Sequence, residues 1–365
     1  MTKQLLQQIA LTMLADVGDL TAKKLIAYCG GVEAVFSESV NSLQKIPNIS
    51  SKVIQSIKNQ KVFAEAEKEI RFIEKNNITP LFYLDSKYPQ RLKACNDGPI
   101  LLYSKGNTNL NTKRSIAVVG TRHASEYGQE ICNDIISDFI GSETLVVSGL
   151  AYGIDACSHR SALKNNLPTV GVLGHGLDRI YPSQHRDLSE QMLQNGGLLT
   201  EFRQGVIPDR QNFPMRNRIV AGMTDATLVI ESKARGGSLI TAYLAFNYNR
   251  DVFAIPGRPK DKNAIGCNNL IRNNVAQLVL SSNDIKKALN WDENESVNSV
   301  QKQLFVDLDE NEQKVVDVMK YDTDIQIDKI SIDCGLSMSK TAVVLLNLEF
   351  KGVVRTLPGK QYRKI

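Results

Sequence analysis

Four short pieces of the 365-residue chain combine glycine, hydroxyl and guanidinium groups in ways that suit a phosphate. In AVVGTRHASEYG, Gly120 permits a tight turn and a close backbone approach, Thr121 adds a hydroxyl, and Arg122 offers a planar fork matched to phosphate oxygens. In VVSGLAYGID, Ser148 and Gly149 end an apolar run and Gly153 opens a helical one. Free amides at a helix N-terminus preceded by small residues make an anion site. ESKARGGSLITA repeats that arrangement with Gly236, Gly237 and Ser238. The fourth piece, RQNFPMRNRIV, reads as a loop that gathers Arg210, Arg216, Asn217 and Arg218 around the ring of Phe213.

A single strand of nucleic acid needs cations along its backbone and flat faces for its unstacked bases. Arg210, Arg216 and Arg218 are expected to supply the first and Phe213 the second, with Arg122 and the Gly-Gly-Ser turn on the same rim. The competing reading places Phe213 in the core and pairs Arg216 and Arg218 with Asp209, Asp225 or Glu231. Four loops converging on one rim favour the nucleic-acid reading.

Patterns for other chemistry are missing. No GxGxxG, GxxxxGK[ST] or GxSxG occurs, which disfavours a dinucleotide site, a P-loop and a nucleophile elbow. Asp155 and His159 stand four apart on one helix, but a pair on the helix surface or at its N-terminus accounts for them better than acid–base catalysis. His175 lies in a strand-end loop with no carboxylate or thiol at ligand spacing, and reads as structural. Six scattered cysteines form no CxxC pair, so no metal is expected and the thiols read as buried or half-buried. No catalytic residue and no cofactor is expected.

The elements that must position these loops follow from periodicity. The runs SIAVVG, TLVVSG, PTVGVLG, GGLLTEF, ATLVIES, DVFAIPG and AQLVL alternate with helical patterns over 110–290. That alternation predicts a Rossmann-like, doubly wound, mostly parallel α/β sheet, with ligands beyond the carboxyl ends of the strands. Residues 1–109 read as a small all-α block containing two similar hairpins, VGDLTAKKLIAYCG and IPNISSKVIQSIKN, in a helix-hairpin-helix or sterile-alpha-motif-like arrangement. Residues 309–365 read as three helices and a hairpin around Pro358-Gly359, a winged helix whose third helix is too apolar for reading a DNA groove. Between them, 291–308 is an acidic linker: residues 291–312 carry one Lys against seven Asp and Glu.

Composition agrees with a globular chain: 42% hydrophobic, 23% charged, formal net charge +5. The modest positive charge permits a polyanion partner without demanding one. No apolar run approaches the roughly 18 residues of a membrane span. The amphipathic N-terminus is unlike a cleaved signal segment, so a cytoplasmic location is expected.

Taken in order, VVGTR…SEYG, VVSGLAYGID, VGVLGHGLDRIYPSQH, FPMRNRIVAGM and GGSLITAYLA…VFAIPG resemble the DNA-processing protein A family, DprA or Smf, over about 112–275. The three-part layout resembles the family as well. The resemblance implies a protein without catalytic activity that binds and protects incoming single-stranded DNA. It also implies loading of the RecA recombinase in natural transformation, and homodimerisation through the Rossmann-like domain. By position it assigns DNA contact to Gly120, Thr121, Arg122, Arg210, Phe213, Arg216, Asn217 and Arg218. A distant likeness to lysine-decarboxylase-like phosphoribohydrolases offers a nucleotide-processing alternative, but Ala242 and Ala245 stand where that reaction needs a carboxylate. A transcription factor led by the winged helix is a third reading, weakened by that helix's apolar face.

Overall fold

The computed structural model describes residues 2–59, 61–107, 109–291, 308–320 and 323–364. All but the two ends of the 291–308 linker lie outside the described residues.

The chain opens with helices α1 (Lys3–Thr12), α2 (Asp19–Cys29), α3 (Val32–Ser37), α4 (Val40–Gln44), α5 (Ser51–Lys58) and α6 (Lys61–Lys75). Apolar residues at three and four spacing put Leu11, Leu25, Val35, Ile57 and Ile70 into one core. Thr2 and Ser50 cap α1 and α5 through their side-chain oxygens. The hairpin lysines are engaged within the protein: Lys23 and Lys24 donate to the carbonyls of Asn96 and Pro47.

The sheet block runs β1 (Thr79–Phe82), α7 (Gln90–Lys93), β2 (Leu101–Gly106), β3 (Arg114–Val119), α8 (Glu126–Ser137), β4 (Thr144–Ser148), α9 (Ile154–Lys164) and β5 (Thr169–Val172). It continues with α10 (Arg186–Met192), β6 (Gly196–Thr200), α11 (Asn212–Gly222), β7 (Ala226–Val229), α12 (Gly237–Asn247), β8 (Asp251–Ala254), α13 (Ile265–Arg272), β9 (Gln277–Leu278) and α14 (Ser282–Ala288). All seven apolar runs read from the sequence are strands.

They form a parallel sheet in the order β6-β5-β4-β3-β7-β8-β9, extended at β6 by antiparallel β2 and β1 to nine strands. Alternation along β3 divides the core. Ile116 and Val118 meet Ile135 and Phe139 of the α8 side, while Ala117 and Val119 meet Val220 and Ala242 of the α11–α12 side.

Strands β1 and β2 correct the reading of residues 1–109 as wholly helical. They are short, antiparallel and peripheral, and Phe82, Leu101 and Tyr103 share the core of the N-terminal helices. A half-share in a helical core gives these residues no strand pattern of their own.

The last block is a winged helix as read: α15 (Glu310–Val318), β10 (Ile325–Gln326), α16 (Ile327–Cys334), α17 (Met338–Phe350) and a hairpin of β11 (Val354–Leu357) and β12 (Gln361–Lys364). Asp309 and Glu312 form a capping box at α15, and Ser337 caps α17. No helix among the described residues is long and apolar enough to cross a membrane.

Candidate nucleic-acid interface

Connections from β3 lead one way across the sheet through β4, β5 and β6, and those from β7 lead the other way through β8 and β9. The gap between the β3 and β7 ends is therefore the topological switch point, where open α/β sheets bind ligands. A crevice of about 440 Å³ lies there, lined by Gly120, Thr121 and Arg122 after β3, Gly149 and Asp155 after β4, and Gly236, Gly237 and Ser238 after β7. Arg210, Phe213, Arg216 and Asn217 close its other side.

The RQNFPMRNRIV piece is a helix rather than a loop. Pro214 sits within the first turn of α11, where its missing N–H costs no helical bond. Phe213, Arg216, Asn217 and Val220 follow helical spacing and share the face that lines the crevice. Phe213 is half-buried, so it is neither a core ring nor a free one. Its ring lies 5.5 Å from the Arg122 guanidinium carbon and 6.3 Å from the exposed ring of Tyr181.

Helical geometry also separates the two arginines of the RNR triplet. Residues two apart cannot face one site. Arg218 points away from the crevice and is only 9% exposed. It donates to the Asp97 carbonyl, to Asp19 at 3.2 Å and to Glu201, tying the helical block to the sheet block. Arg218, expected to contact DNA, is thus not brought together with the crevice residues, and its partners are none of the three carboxylates proposed for it. Asp225 instead holds Arg91 at 2.6 Å and the Ser115 amide, and Glu231 accepts from the Ser125 amide and hydroxyl.

Arg216 does line the crevice, but as its floor. It is buried, and donates to the Val172 carbonyl at 2.6 Å. Burial opposes its charge, and the Asp155 carboxylate beside it works against that effect. Burial likewise raises Asp155, against Arg216 and the amides of Gly149 and Ala151 that it accepts from. Gly149 is required here: a Cβ would fall 1.8 Å from Arg216 Nη1. Arg216 therefore lies at the floor of the crevice as a buried cation beside the Asp155 carboxylate, rather than on the rim where it was expected.

Ser148 is not brought to the crevice surface. It is fully buried and donates to the Val118 carbonyl at 2.6 Å, fastening β4 to β3. Ser238 lines the crevice while donating to Ser232 Oγ at 2.9 Å, and the Thr121 hydroxyl accepts from the His123 amide. Gly153, at φ +76°, lets the start of α9 pack on the Thr121–Arg122 backbone, where a Cβ would fall 2.1 Å from the Thr121 oxygen.

The pair expected of Asp155 and His159 on the surface or at the N-terminus of the helix is not formed: both are buried and hydrogen-bond to different partners, although Asp155 does stand in the first turn of α9. His159 Nδ1 bonds Thr169 Oγ1 at 2.7 Å, and burial lowers its pKa to about 3. His175 is buried on the Gly176 carbonyl, as its structural reading required.

Two cations were missed. Lys233 and Arg235 line the crevice immediately before the Gly-Gly-Ser turn, and their position in ESKARGGS was the available signal. With Arg122 and Arg210 they make four rim cations, none in an ion pair with a described residue. The arrangement can take a phosphate at the rim and a flat base against Phe213.

A model of the DNA recombination-mediator protein A family matches residues 79–290, and a DprA winged helix domain model matches 303–360. Protein Smf of Synechocystis sp. is 35% identical over 285 residues, covering 77% of this chain and 71% of that protein. DNA processing protein DprA of Streptococcus pneumoniae is 41% identical over 202 residues, 55% of this chain and 71% of that one. The X-ray structure of DNA processing protein A from Streptococcus pneumoniae superposes with a TM-score of 0.63 at 32% identity, covering 78% of this chain and 98% of that chain. A structure of DNA processing protein A from Helicobacter pylori, concerned with its single-stranded DNA binding mode, gives 0.53 at 26% identity, covering 58% and 95%.

Proposed function

Since the chain belongs to the DNA recombination-mediator protein A family, with a part in DNA processing and recombination, we propose that its switch-point crevice binds single-stranded DNA without strong sequence preference. The observation that carries this reading is the half-buried Phe213 ring beneath an unpaired Arg122, with Arg210, Lys233 and Arg235 around it. A stacking face works on any base, and the cations track the backbone. The single-strand binding mode of the Helicobacter pylori relative supports the same reading.

As part of that proposal the protein has no catalytic step of its own. It protects the strand and hands it to the RecA recombinase. It works as a homodimer in the cytoplasm. Self-association is supported by apolar side chains left open on the sheet block: Ile240, Tyr243 and Phe246 of α12, with Leu278 and Leu280 at the β9 edge. The phosphoribohydrolase alternative gains nothing, because Ala242 and Ala245 are buried on α12 and offer no carboxylate.

Fluorescence anisotropy with labelled oligo(dT) and a blunt duplex tests the reading. Single-strand preference with affinity falling steeply in salt is expected. Equal affinity for the duplex, or no salt dependence, would overturn it.

A further inference from the structure

Arg122 and His123 stand between the crevice and a second hollow of about 650 Å³, spacious enough for a nucleotide. The second hollow is lined by Tyr152, Arg160, Cys157 and the amides Gln129 and Asn133, with no Asp or Glu among its lining residues. Tyr152 is 43% exposed yet fixed: its hydroxyl donates to Gln184 Oε1 at 2.7 Å and its ring meets His185 edge-on at 5.1 Å. Arg160 projects from α9 with no ion pair or hydrogen bond to a described residue. The segment that holds Tyr152 also carries Tyr181, the exposed ring beside Phe213. Arg122, set against Phe213 in the crevice, thus also borders the hollow that Tyr152 and Arg160 line. A single exposed tyrosine is ordinary on a protein surface. A held ring and an arginine that line one groove with no carboxylate among its lining residues can serve as a stacking platform with a phosphate partner.

We propose that this groove is a second nucleotide subsite for the same strand: DNA seated on Phe213 passes Arg122, stacks a further base on Tyr152 and lays a phosphate on Arg160. The inference rests on the single-strand reading above and extends the footprint beyond the crevice.

The test compares oligo(dT) of about 16 nucleotides with a thymidine dinucleotide, which needs only the crevice. Tyr152→Ala should weaken the long strand about tenfold, as expected for one lost stack, and leave dinucleotide affinity unchanged. Tyr152→Phe keeps the ring and its contact with His185 but loses the bond to Gln184, and should bind much closer to the parent than Tyr152→Ala does. Arg160→Gln, at an exposed and partnerless position, should weaken the long strand and flatten its log-log salt slope by about 0.7, whether or not the Tyr152→Ala chain folds. If Tyr152→Ala weakens both ligands equally, or if both variants bind the long strand like the parent, the groove is not a subsite. If the unaltered protein binds neither ligand, the single-strand reading fails and takes the groove with it.

Discussion

The Arg122 guanidinium lies 5.5 Å from the centre of the Phe213 ring, joining the loop after β3 to the first turn of α11. One residue can meet a phosphate and the other a base, so removal should have different signatures. Phe213→Ala should weaken oligo(dT) binding by about 1–3 kcal/mol with the salt slope unchanged. Arg122→Ala should weaken binding and flatten the slope by about 0.7. The double variant should fall short of the sum, because the two groups touch. Anisotropy titrations at several salt concentrations measure all three. Loss of slope in Phe213→Ala would contradict the assignment.

Arg218 has a different task. Its guanidinium holds Glu201, whose carboxyl burial pushes up to about 7 although Arg218 opposes the shift. Arg218→Ala leaves that carboxyl to take up a proton and removes the contacts to Asp97 and Asp19, and should cost about 1–3 kcal/mol, read by urea unfolding. The folded fraction should bind oligo(dT) like the parent. A stable Arg218→Ala chain with lost DNA affinity would return Arg218 to the DNA interface.

These two residues mark how far the sequence could be read. The strands of the parallel sheet were legible because burial on both faces leaves near-continuous apolar runs, and their ends then located Gly120, Gly149 and Gly236. The strands β1 and β2 were hidden because they are short and their apolar residues are divided, Phe82, Leu101 and Tyr103 to the helical core and Leu81 and Leu102 to the sheet core. Arg216 and Arg218 were placed on one rim because the piece was read as a loop. Had Pro214 been taken as a first-turn residue, the spacing of Phe213, Arg216 and Asn217 would have set Arg218 apart. Which arginines are compensated was not legible at all, since Asp155, Glu201 and Asp19 come from distant parts of the chain.

The proposed dimer separates from the winged helix. The open apolar side chains at Ile240, Tyr243, Phe246, Leu278 and Leu280 all belong to the sheet block. A chain ending at residue 290 should therefore remain dimeric in light scattering at micromolar concentration. A monomer under those conditions would place self-association elsewhere, and the apolar face of α12 would then need another partner.

Acid should loosen the sheet block through His159. Thr169 Oγ1 donates to the Val146 carbonyl at 2.9 Å, so its lone pair accepts from His159 Nδ1–H and the imidazole is held neutral with Nε2 bare. Burial, with His185 and Arg216 nearby, lowers its pKa from 6.5 to about 3. The unfolded chain then binds a proton that the folded one refuses, between those two values. Stability is full above 6.5 and falls as pH drops, by about 1.4 kcal/mol per unit well below 6.5, or about 2 kcal/mol between pH 7 and pH 5. His159→Asn can keep a donor toward Thr169 without the titration. It should be less stable than the parent at pH 7, through lost packing, and the gap should narrow by about 2 kcal/mol at pH 5. His175, which burial also lowers, and Glu201, which burial raises, titrate on their own accounts. Urea unfolding of parent and variant at both pH values isolates the difference, and a gap that stays constant would show that His159 is not the group that resists protonation.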